Sequence, residues 1–287
     1  MVTSNNSIPN KSFDIPVLLV VFNRLDEVKK SIEAISRIKP KYFYVFSDGA
    51  RAGNLDDISR IAAVRDYIEN VVNWECHFDF YHSQENVGCD TAVSKGLDRL
   101  FQGHEYGIIL EDDCVATIRF FKYCEILLKR YKHDTRIGMI AGTNHIHDET
   151  ENLDYFFSRN YACWGWATWR RAWEFQDKSM NWRRSKENFD ITRNIGFGIF
   201  SFVHYQICLR LIDRGNVEAW DWQWYFSLSA QNMLCIFPTT NLVENIGFSE
   251  MATHTSWRKE IYRVSLEASF SAEEITLPKK DLRCSRC

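Results

Sequence analysis

Three consecutive carboxylates, Glu111, Asp112 and Asp113, directly follow the apolar run 108–110. Such a short run is typical of a strand buried on both faces, although a buried helical turn has the same pattern. Acids at the carboxyl end of a buried strand lie where open α/β sheets bind their ligands. Adjacent carboxylates repel each other unless a cation neutralises them, and hard oxygen ligands suit Mg²⁺ or Mn²⁺. The triplet therefore predicts a divalent-cation site, with a solvated acidic turn as the alternative.

The residues before this triplet alternate between strand and helix patterns. Apolar runs predict strands at 15–22, 42–46 and 77–81, and amphipathic spacing predicts helices at 25–38, 56–72 and 91–101. This alternation predicts an α/β fold with a mostly parallel sheet and right-handed crossovers. No G-x-G-x-x-G follows the first strand and no P-loop lysine motif occurs, which argues against a dinucleotide-binding enzyme or an NTPase.

The residues after 141 are rich in tryptophan. The pattern predicts a loop at 142–160, a polar insertion or lid at 182–197 and a helix at 202–213. Within the sequence ACWGWATW at 162–169, the segment 164–166 is interpreted as an exposed loop. Asp221 lies in the run WDWQW, where neighbouring indoles would exclude water and could raise the pKa of its carboxylate. An N-cap role for Asp221 is the alternative. Core packing is likewise the alternative for Trp164, Trp166 and Trp169.

Composition narrows the class of protein. The formal net charge of −3, with 25% charged residues, gives no electrostatic signal for nucleic acid. Nine scattered cysteines predict reduced thiols, and the polar N-terminus has no signal-peptide pattern. We therefore expect a cytoplasmic protein. The basic and aromatic region 169–184 adds an expectation of peripheral contact with the inner face of the membrane.

Together these motifs resemble GT-A fold glycosyltransferases that use nucleotide-sugar donors. More narrowly, the chain is similar to bacterial relatives of N-acetylglucosaminyltransferase I. The resemblance covers about residues 16–254 and is carried by PVLLVVFNR at 16–24, SDG at 47–49, NVG at 86–88, EDD at 111–113, CWGWATW at 163–169, AWDWQW at 219–224 and NIGFSEMATHT at 245–255. It implies one continuous GT-A (Rossmann-like) unit with a smaller Trp-rich acceptor side. Its parts would be a nucleotide-sugar-binding half at 1–140, an acceptor-binding half at 141–260 and an extension at 261–287.

The resemblance also implies a role for each matching residue. Asp113 would ligate the metal, Mn²⁺ or Mg²⁺, and His254 would reach the metal or the diphosphate, with a surface histidine as the alternative. The other residues implied to bind the donor are Arg24 near the phosphates, Ser47 and Asp48 near uracil and ribose, Glu111 and Asp112 near the base, ribose or sugar, and Trp164, Gly165 and Trp166 as the floor of the donor or acceptor site. For Ser47 and Asp48 an ordinary turn is the alternative. Asn144 and His145 are expected to line the same cleft.

The activity implied is an inverting, metal-dependent transfer of a sugar from a nucleoside diphosphate donor to a hydroxyl of a glycan or glycolipid. UDP is the expected nucleoside diphosphate. Asp221 would remove the proton of the acceptor hydroxyl, with Glu218 and Glu250 in reserve. A retaining mechanism stays open. Two other classes remain as alternatives: a sugar nucleotidyltransferase, which usually needs a basic glycine-rich loop near the first strand, and a non-catalytic carbohydrate-binding protein.

Overall fold

The computed structural model describes residues 13–144, 154–184, 191–193, 195, 198–215 and 220–247. The strands are β1 (Val17–Val21), β2 (Tyr42–Ser47), β3 (His77–His82), β4 (Tyr106–Glu111), β5 (Cys114–Ala116), β6 (Ile137–Ala141), β7 (Tyr155–Ser158), β8 (Trp166–Trp169), β9 (Leu234–Pro238) and β10 (Val243–Asn245). The helices are α1 (Leu25–Ser36), α2 (Leu55–Val71), α3 (Gly88–Gly103), α4 (Ile118–Arg130), the single turn α5 (Arg170–Trp173), α6 (Gly198–Asp213) and α7 (Trp220–Ala230).

Within these residues, eight strands form one sheet in the order β3-β2-β1-β4-β8-β6-β9-β7. β1 pairs in parallel with β2 and with β4, and β6 pairs in parallel with β9. β8 and β7 run in the opposite direction to their neighbours. The α/β class and the mostly parallel sheet flanked by helices are thus confirmed. The sheet takes strands from both sides of residue 140, and the division into halves stays a prediction.

Helices cover both faces of the sheet. Alternate residues of β1 point to opposite sides: Val17, Leu19 and Val21 join a core with α1, α2 and α4. Leu18 and Val20 join a second core with α3, α5 and α7. Burial on both faces explains why β1 and β4 appear in the sequence as continuous apolar runs without alternation. No helix in the described residues is long and apolar enough to cross a membrane.

Two strands lie where the sequence predicted loops. β7 occupies part of the predicted loop 142–160 and pairs antiparallel with β9 at the edge of the sheet. β8 lies in the segment interpreted as an exposed tryptophan loop and is inserted antiparallel between β4 and β6. Both strands are only four residues long. Because β8 is buried throughout, it lacks the alternating pattern that identifies a half-buried strand.

The turn into β8 depends on Gly165. Its φ is +61°, and a Cβ there would lie 2.7 Å from Val243 Cγ2 and 3.2 Å from Leu110 Cδ2. The carbonyl of Gly165 also accepts a hydrogen bond of 2.7 Å from the Gly142 amide. The left-handed conformation and the close approach of β10 both favour glycine at this position.

We expect Gly165→Ala to destabilise the protein more than the control Gly53→Ala. Gly53 also has a positive φ of +76°, but no atom lies within 4 Å of a Cβ built there. The control should cost about 1 kcal/mol from backbone strain. Overlap with Val243 should add a further 1–3 kcal/mol, roughly, in Gly165→Ala. Urea unfolding measures both, and equal losses would contradict the role of close packing.

Candidate functional site

The carboxyl ends of β1 and β4 are neighbours in the sheet, and the space outside them is called the crevice below. From β1 the chain passes to β2 on one side, and β4 lies on the other side, so the strand order reverses at β1. Such a reversal is where open α/β sheets bind ligands. In the register of the two strands Val20 is paired with Glu111. The residues that follow β1 and the acids that end β4 are therefore neighbours.

Arg24 joins two of the three acids. Its Nε lies 3.3 Å from Asp112 Oδ2, and its Nη2 contacts Asp112 Oδ1 and lies 3.0 Å from Asp113 Oδ2. Asp112 also accepts a 3.4 Å hydrogen bond from the amide of Phe22. Burial alone would lower the pKa of Arg24, but the charges of Asp112 and Asp113 raise it above its usual value. The guanidinium is thus a fixed positive charge between two carboxylates.

One arginine does not neutralise the acidic cluster. Burial, followed by the charges of Asp113, Asp112 and Asp221, raises the pKa of Glu111 to about 8. Burial also raises the pKa of Asp112 to about 6, against the opposing effect of Arg24. The Cys89 thiol donates to Glu111 Oε2 over 3.7 Å. The cluster therefore carries more negative charge than its surroundings stabilise, and a cation would relieve the repulsion.

Asp221 belongs to the same electrostatic neighbourhood. It lies in the first turn of α7, inside the helix, so it is not the N-cap. Its charge acts on Glu111, and its Oδ2 lies 4.0 Å from the Cys163 sulfur, which donates to it. Burial and the charge of Asp221 together raise the pKa of the Cys163 thiol well above its usual value. The fold thus brings the predicted base near the predicted donor site, although 109 positions separate Asp221 from Asp112.

Asp113 contacts residues 246 and 247, which are the last residues that the structure describes. The Ile246 amide donates to the carbonyl of Asp113 over 2.8 Å, and β10 pairs with β5 directly after the acids. A Cβ built on Gly247 would lie only 2.2 Å from Asp113 Oδ2. Gly247 therefore lets the backbone pass against the carboxylate. His254, Glu250, Glu218 and His145 lie outside the described residues.

Ser47 and Asp48 hold the loops at the end of β2. The Ser47 side chain is fully buried, and its hydroxyl accepts from Arg65 Nε at 2.9 Å. The Asp48 carboxylate accepts four hydrogen bonds of 2.8–3.1 Å, from the amides of Gly49, Val87 and Gly88 and from Asn86 Nδ2. Both oxygens of Asp48 thus hold the 86–88 turn beside β2. The contacts of both residues with uracil and ribose stay a prediction.

The tryptophan segment packs the core. Trp166 is fully buried, with its ring 5.7 Å from that of Trp220 and 6.1 Å from that of Trp224. Gly165 is buried and approaches Val243 and Leu110, not a ligand. Both residues thus pack inside the protein, as the core-packing alternative for Trp166 describes, and the floor of a donor or acceptor site stays a prediction. Trp164 is half-buried and also packs against the core. Asn144 is buried as well, and its amide donates to Asn241 Oδ1 at 2.6 Å.

The acids suit a metal bound jointly by protein and substrate. In the part of the chain that the structure describes, no three His, Cys, Asp or Glu side chains are arranged to enclose a cation. Mg²⁺ usually takes one or two carboxylates and completes its shell with phosphate oxygens and water. Asp113 fits this pattern because its side chain is 16% exposed at the edge of the crevice, whereas that of Asp112 is 4% exposed and paired with Arg24. Asp113 is thus the residue that could hold the metal.

Asp57 fixes the other wall of the crevice and was missed by the sequence analysis. Its buried carboxylate accepts from Asn23 Nδ2 at 2.8 Å and from Arg51 Nε at 2.6 Å and Nη2 at 2.8 Å. The Arg51 guanidinium lies 5.5 Å from the centre of the Phe22 ring. These contacts hold the residues next to Arg24. Asp57 sits in the first turn of an amphipathic helix, where an acid is ordinary, so its sequence position alone does not reveal this role.

A separate open cleft lies between α3 and the segment after α5. It is lined by residues that include Asp98, Phe101, Trp173 and Lys178. None of the residues predicted to bind the donor lines this cleft. The acidic cluster, not this depression, therefore remains the candidate site.

Comparison with known proteins finds similarity among solved structures. No protein-family model and no curated protein matches the chain. Similar solved structures include the mannosyltransferase PcManGT from Pyrobaculum calidifontis in complex with GDP-Man and Mn²⁺, with a TM-score of 0.37 and 14% identity over 58% of this chain and 47% of that chain. Another is UDP-glucose pyrophosphorylase complexed with UDP-glucose, with a TM-score of 0.29 and 11% identity over 50% of this chain and 62% of that chain. The chain thus spans less than two thirds of either structure, and an overlap this small does not decide its activity.

We expect Arg24→Met to destabilise the metal-free protein by about 3 kcal/mol, because it leaves buried Asp112 and its neighbour Asp113 without a counter-charge. The loss should be smaller at pH 5 than at pH 8, since protonation of the acids removes their repulsion. Arg37→Met is the matched control: Arg37 pairs with Glu33 on the surface, so its loss should stay within about 0.5 kcal/mol. Denaturant unfolding at both pH values measures this, and equal effects of the two substitutions would contradict the clamp.

Asp57 should make stability depend on pH in the acid range. Hydrogen bonds from Arg51, and then from Asn23, outweigh burial and lower its pKa to about 2. A lowered pKa stabilises the folded state above the pKa of the unfolded chain, near 4, and this contribution disappears as the pH falls towards 2. We expect Asp57→Asn to cost about 2 kcal/mol at pH 7 and almost nothing near pH 2. Asp56→Asn, at an exposed neighbouring acid, is the control. A pH-independent loss would contradict this account.

Proposed function

We propose that this chain is a metal-dependent glycosyltransferase that moves a sugar from a nucleoside diphosphate donor, UDP in the first place, to a hydroxyl of a glycan or glycolipid. The observation that carries the proposal is the acidic cluster at the strand reversal. There Asp112 and Asp113 share Arg24, and the charge of Asp221 acts on Glu111 from α7. One charged crevice thus contains groups suited to a diphosphate, a cation and an acceptor hydroxyl.

In this proposal the charged side chains of the crevice bind the donor and its metal. Asp113 would hold Mn²⁺ or Mg²⁺, which when bound offsets the charge of the diphosphate leaving group. Arg24 is a fixed positive charge on the same side and suits a phosphate oxygen, since its guanidinium is always protonated. Asp112 keeps this guanidinium in place. Glu111, half-buried between the thiol of Cys89 and Asp221, is suited to hydroxyls of the donor sugar.

Asp221 is our proposed base. In an inverting transfer the acceptor oxygen attacks the anomeric carbon while a carboxylate on the far side from the diphosphate removes its proton. Asp221 is carried by a different element from the acids of β4, and its charge acts on Glu111. Its helix is fixed by Trp220 and Trp224, whose rings pack on Trp166. The carboxylate is thus held by a rigid aromatic core.

A donor screen separates this proposal from its alternatives. The protein is incubated with Mn²⁺, a panel of nucleoside diphosphate sugars and simple glycoside acceptors, and the products are identified by mass spectrometry and NMR. We expect release of nucleoside diphosphate and a glycoside of inverted configuration. When pyrophosphate is added, formation of a nucleoside triphosphate and a sugar 1-phosphate from the sugar nucleotide would instead identify a nucleotidyltransferase. Sugar binding without turnover of any donor would identify a carbohydrate-binding protein, and a retained configuration would contradict the role of Asp221.

We expect Asp221→Asn to lower kcat by roughly 100- to 10,000-fold, the usual contribution of a positioned base, and to leave donor affinity almost unchanged. The amide keeps the size of the side chain but cannot accept a proton. Asp26→Asn removes an exposed carboxylate from the first turn of α1 and should leave both constants unaltered. A loss of donor affinity with unchanged kcat would show that Asp221 binds the donor and is not the base.

A further inference from the structure

Helix α6 presents an apolar stripe to solvent. Four large side chains are exposed by 47–87%: Ile199, Phe200, Val203 and Ile207. At about 100° per residue, they fall within an arc of roughly 100° on one side of the helix. Arg210 extends the same arc, and the exposed Arg214 follows directly after the helix. The stripe is thus apolar over its first three turns and basic at its end.

The other side of α6 packs on α7. Cys208 and Leu209 are buried. The Tyr205 ring lies 5.8 Å from that of Phe226, and the His204 ring lies 6.5 Å from that of Trp222, the residue next to Asp221. The helix is therefore anchored on the protein, and its outer face lies one helix layer from the proposed base.

Among the described residues of the stripe and its end, the uncompensated charge is positive. The one acid in its last turn, Asp213, is paired with Arg183 at 2.8 Å, so its charge is offset. The side chains of Arg210 and Arg214 remain exposed beside the apolar residues. An exposed apolar face with cations beside it is the pattern of a helix that lies in the interface of a membrane.

We propose that the outer face of α6 docks this protein on an anionic lipid surface. The size of the stripe favours a membrane over a second copy of the chain. Four side chains of one helix expose on the order of a few hundred Å² of apolar surface, whereas a stable dimer buries roughly 800 Å² per partner. A bilayer interface needs no matching surface, because each apolar side chain enters it independently. Negative headgroups complement Arg210 and Arg214.

This surface differs from the one expected from the sequence. Within the region 169–184, Trp169 and Trp173 are buried in the core and cannot enter a membrane. Docking through α6 would bring α7 and Asp221 close to the lipid headgroups. If the proposed function holds, the acceptor hydroxyl then belongs to a lipid-linked molecule. The docking itself does not depend on that function.

Vesicle flotation tests the docking without donor or acceptor. The full chain is mixed with vesicles of phosphatidylcholine alone or with about 30% phosphatidylglycerol, at low and at physiological salt. We expect binding to the anionic vesicles that weakens with salt. Ile199→Ser/Phe200→Ser should lower the affinity at least about tenfold, because it removes the two most exposed apolar side chains of the stripe. Arg210→Gln should lower the affinity about fivefold and reduce the dependence on salt.

The control is Leu55→Ser/Ile58→Ser, which removes two exposed apolar side chains from α2. It should leave vesicle binding unchanged, and circular dichroism should show all variants folded. Equal losses in both double variants, or no vesicle binding by the unchanged protein, would overturn the proposal. Light scattering gives a further test: a dimer that becomes a monomer in the α6 double variant, and in no other variant, would also overturn the proposal. None of these outcomes would bear on donor turnover, which is measured separately.

Discussion

The carboxylates of Glu111, Asp112 and Asp113 lie at the end of β4, near the centre of the sheet. Among the described residues, Arg24 is the basic side chain that contacts two of them. Its guanidinium holds Asp112 and Asp113 together, whereas Glu111 remains beside their charges and that of Asp221. Groups of like charge that are partly removed from water cost free energy unless a cation or a ligand compensates them. This arrangement therefore destabilises the folded protein locally when no ligand is bound. Such clusters are typical of sites that bind charged ligands.

The rest of the fold keeps these groups in place. Parallel pairing of β1 with β4 sets Arg24 beside the acids. Pairing of β5 with β10 brings Gly247 against Asp113, and Asp48 ties the 86–88 turn to the end of β2. In the second half of the chain, packing of Trp220 and Trp224 on Trp166 fixes the helix that carries Asp221. Arg24, the three acids and Asp221 are thus held near one another, and their contacts with a donor stay predictions.

The sequence predicted the sheet well where its signals are local. Continuous apolar runs identified β1 and β4, and amphipathic spacing identified α1 to α3, because burial on one or two faces leaves a direct pattern. It failed for β8, whose four buried residues have no alternation. It could not show that the side chains of Ser47, Asp48 and Trp166 are buried, since a turn residue or an indole has the same identity whether it faces a ligand or the core. The meeting of Arg24 with Asp112, and of Glu111 with Asp221, comes from tertiary packing, and no local spacing encodes it.

The central claim is that the acids following β4 hold a divalent cation together with the diphosphate of a donor. Crystals grown with Mn²⁺ and a nucleoside diphosphate, measured at the manganese absorption edge, test it directly through the anomalous difference map. The account predicts one strong peak within coordination distance of the Asp113 carboxylate, shared with phosphate oxygens, and Arg24 near the diphosphate. A bound diphosphate with its manganese away from Asp113, or no diphosphate in the crevice between β1 and β4, would contradict it.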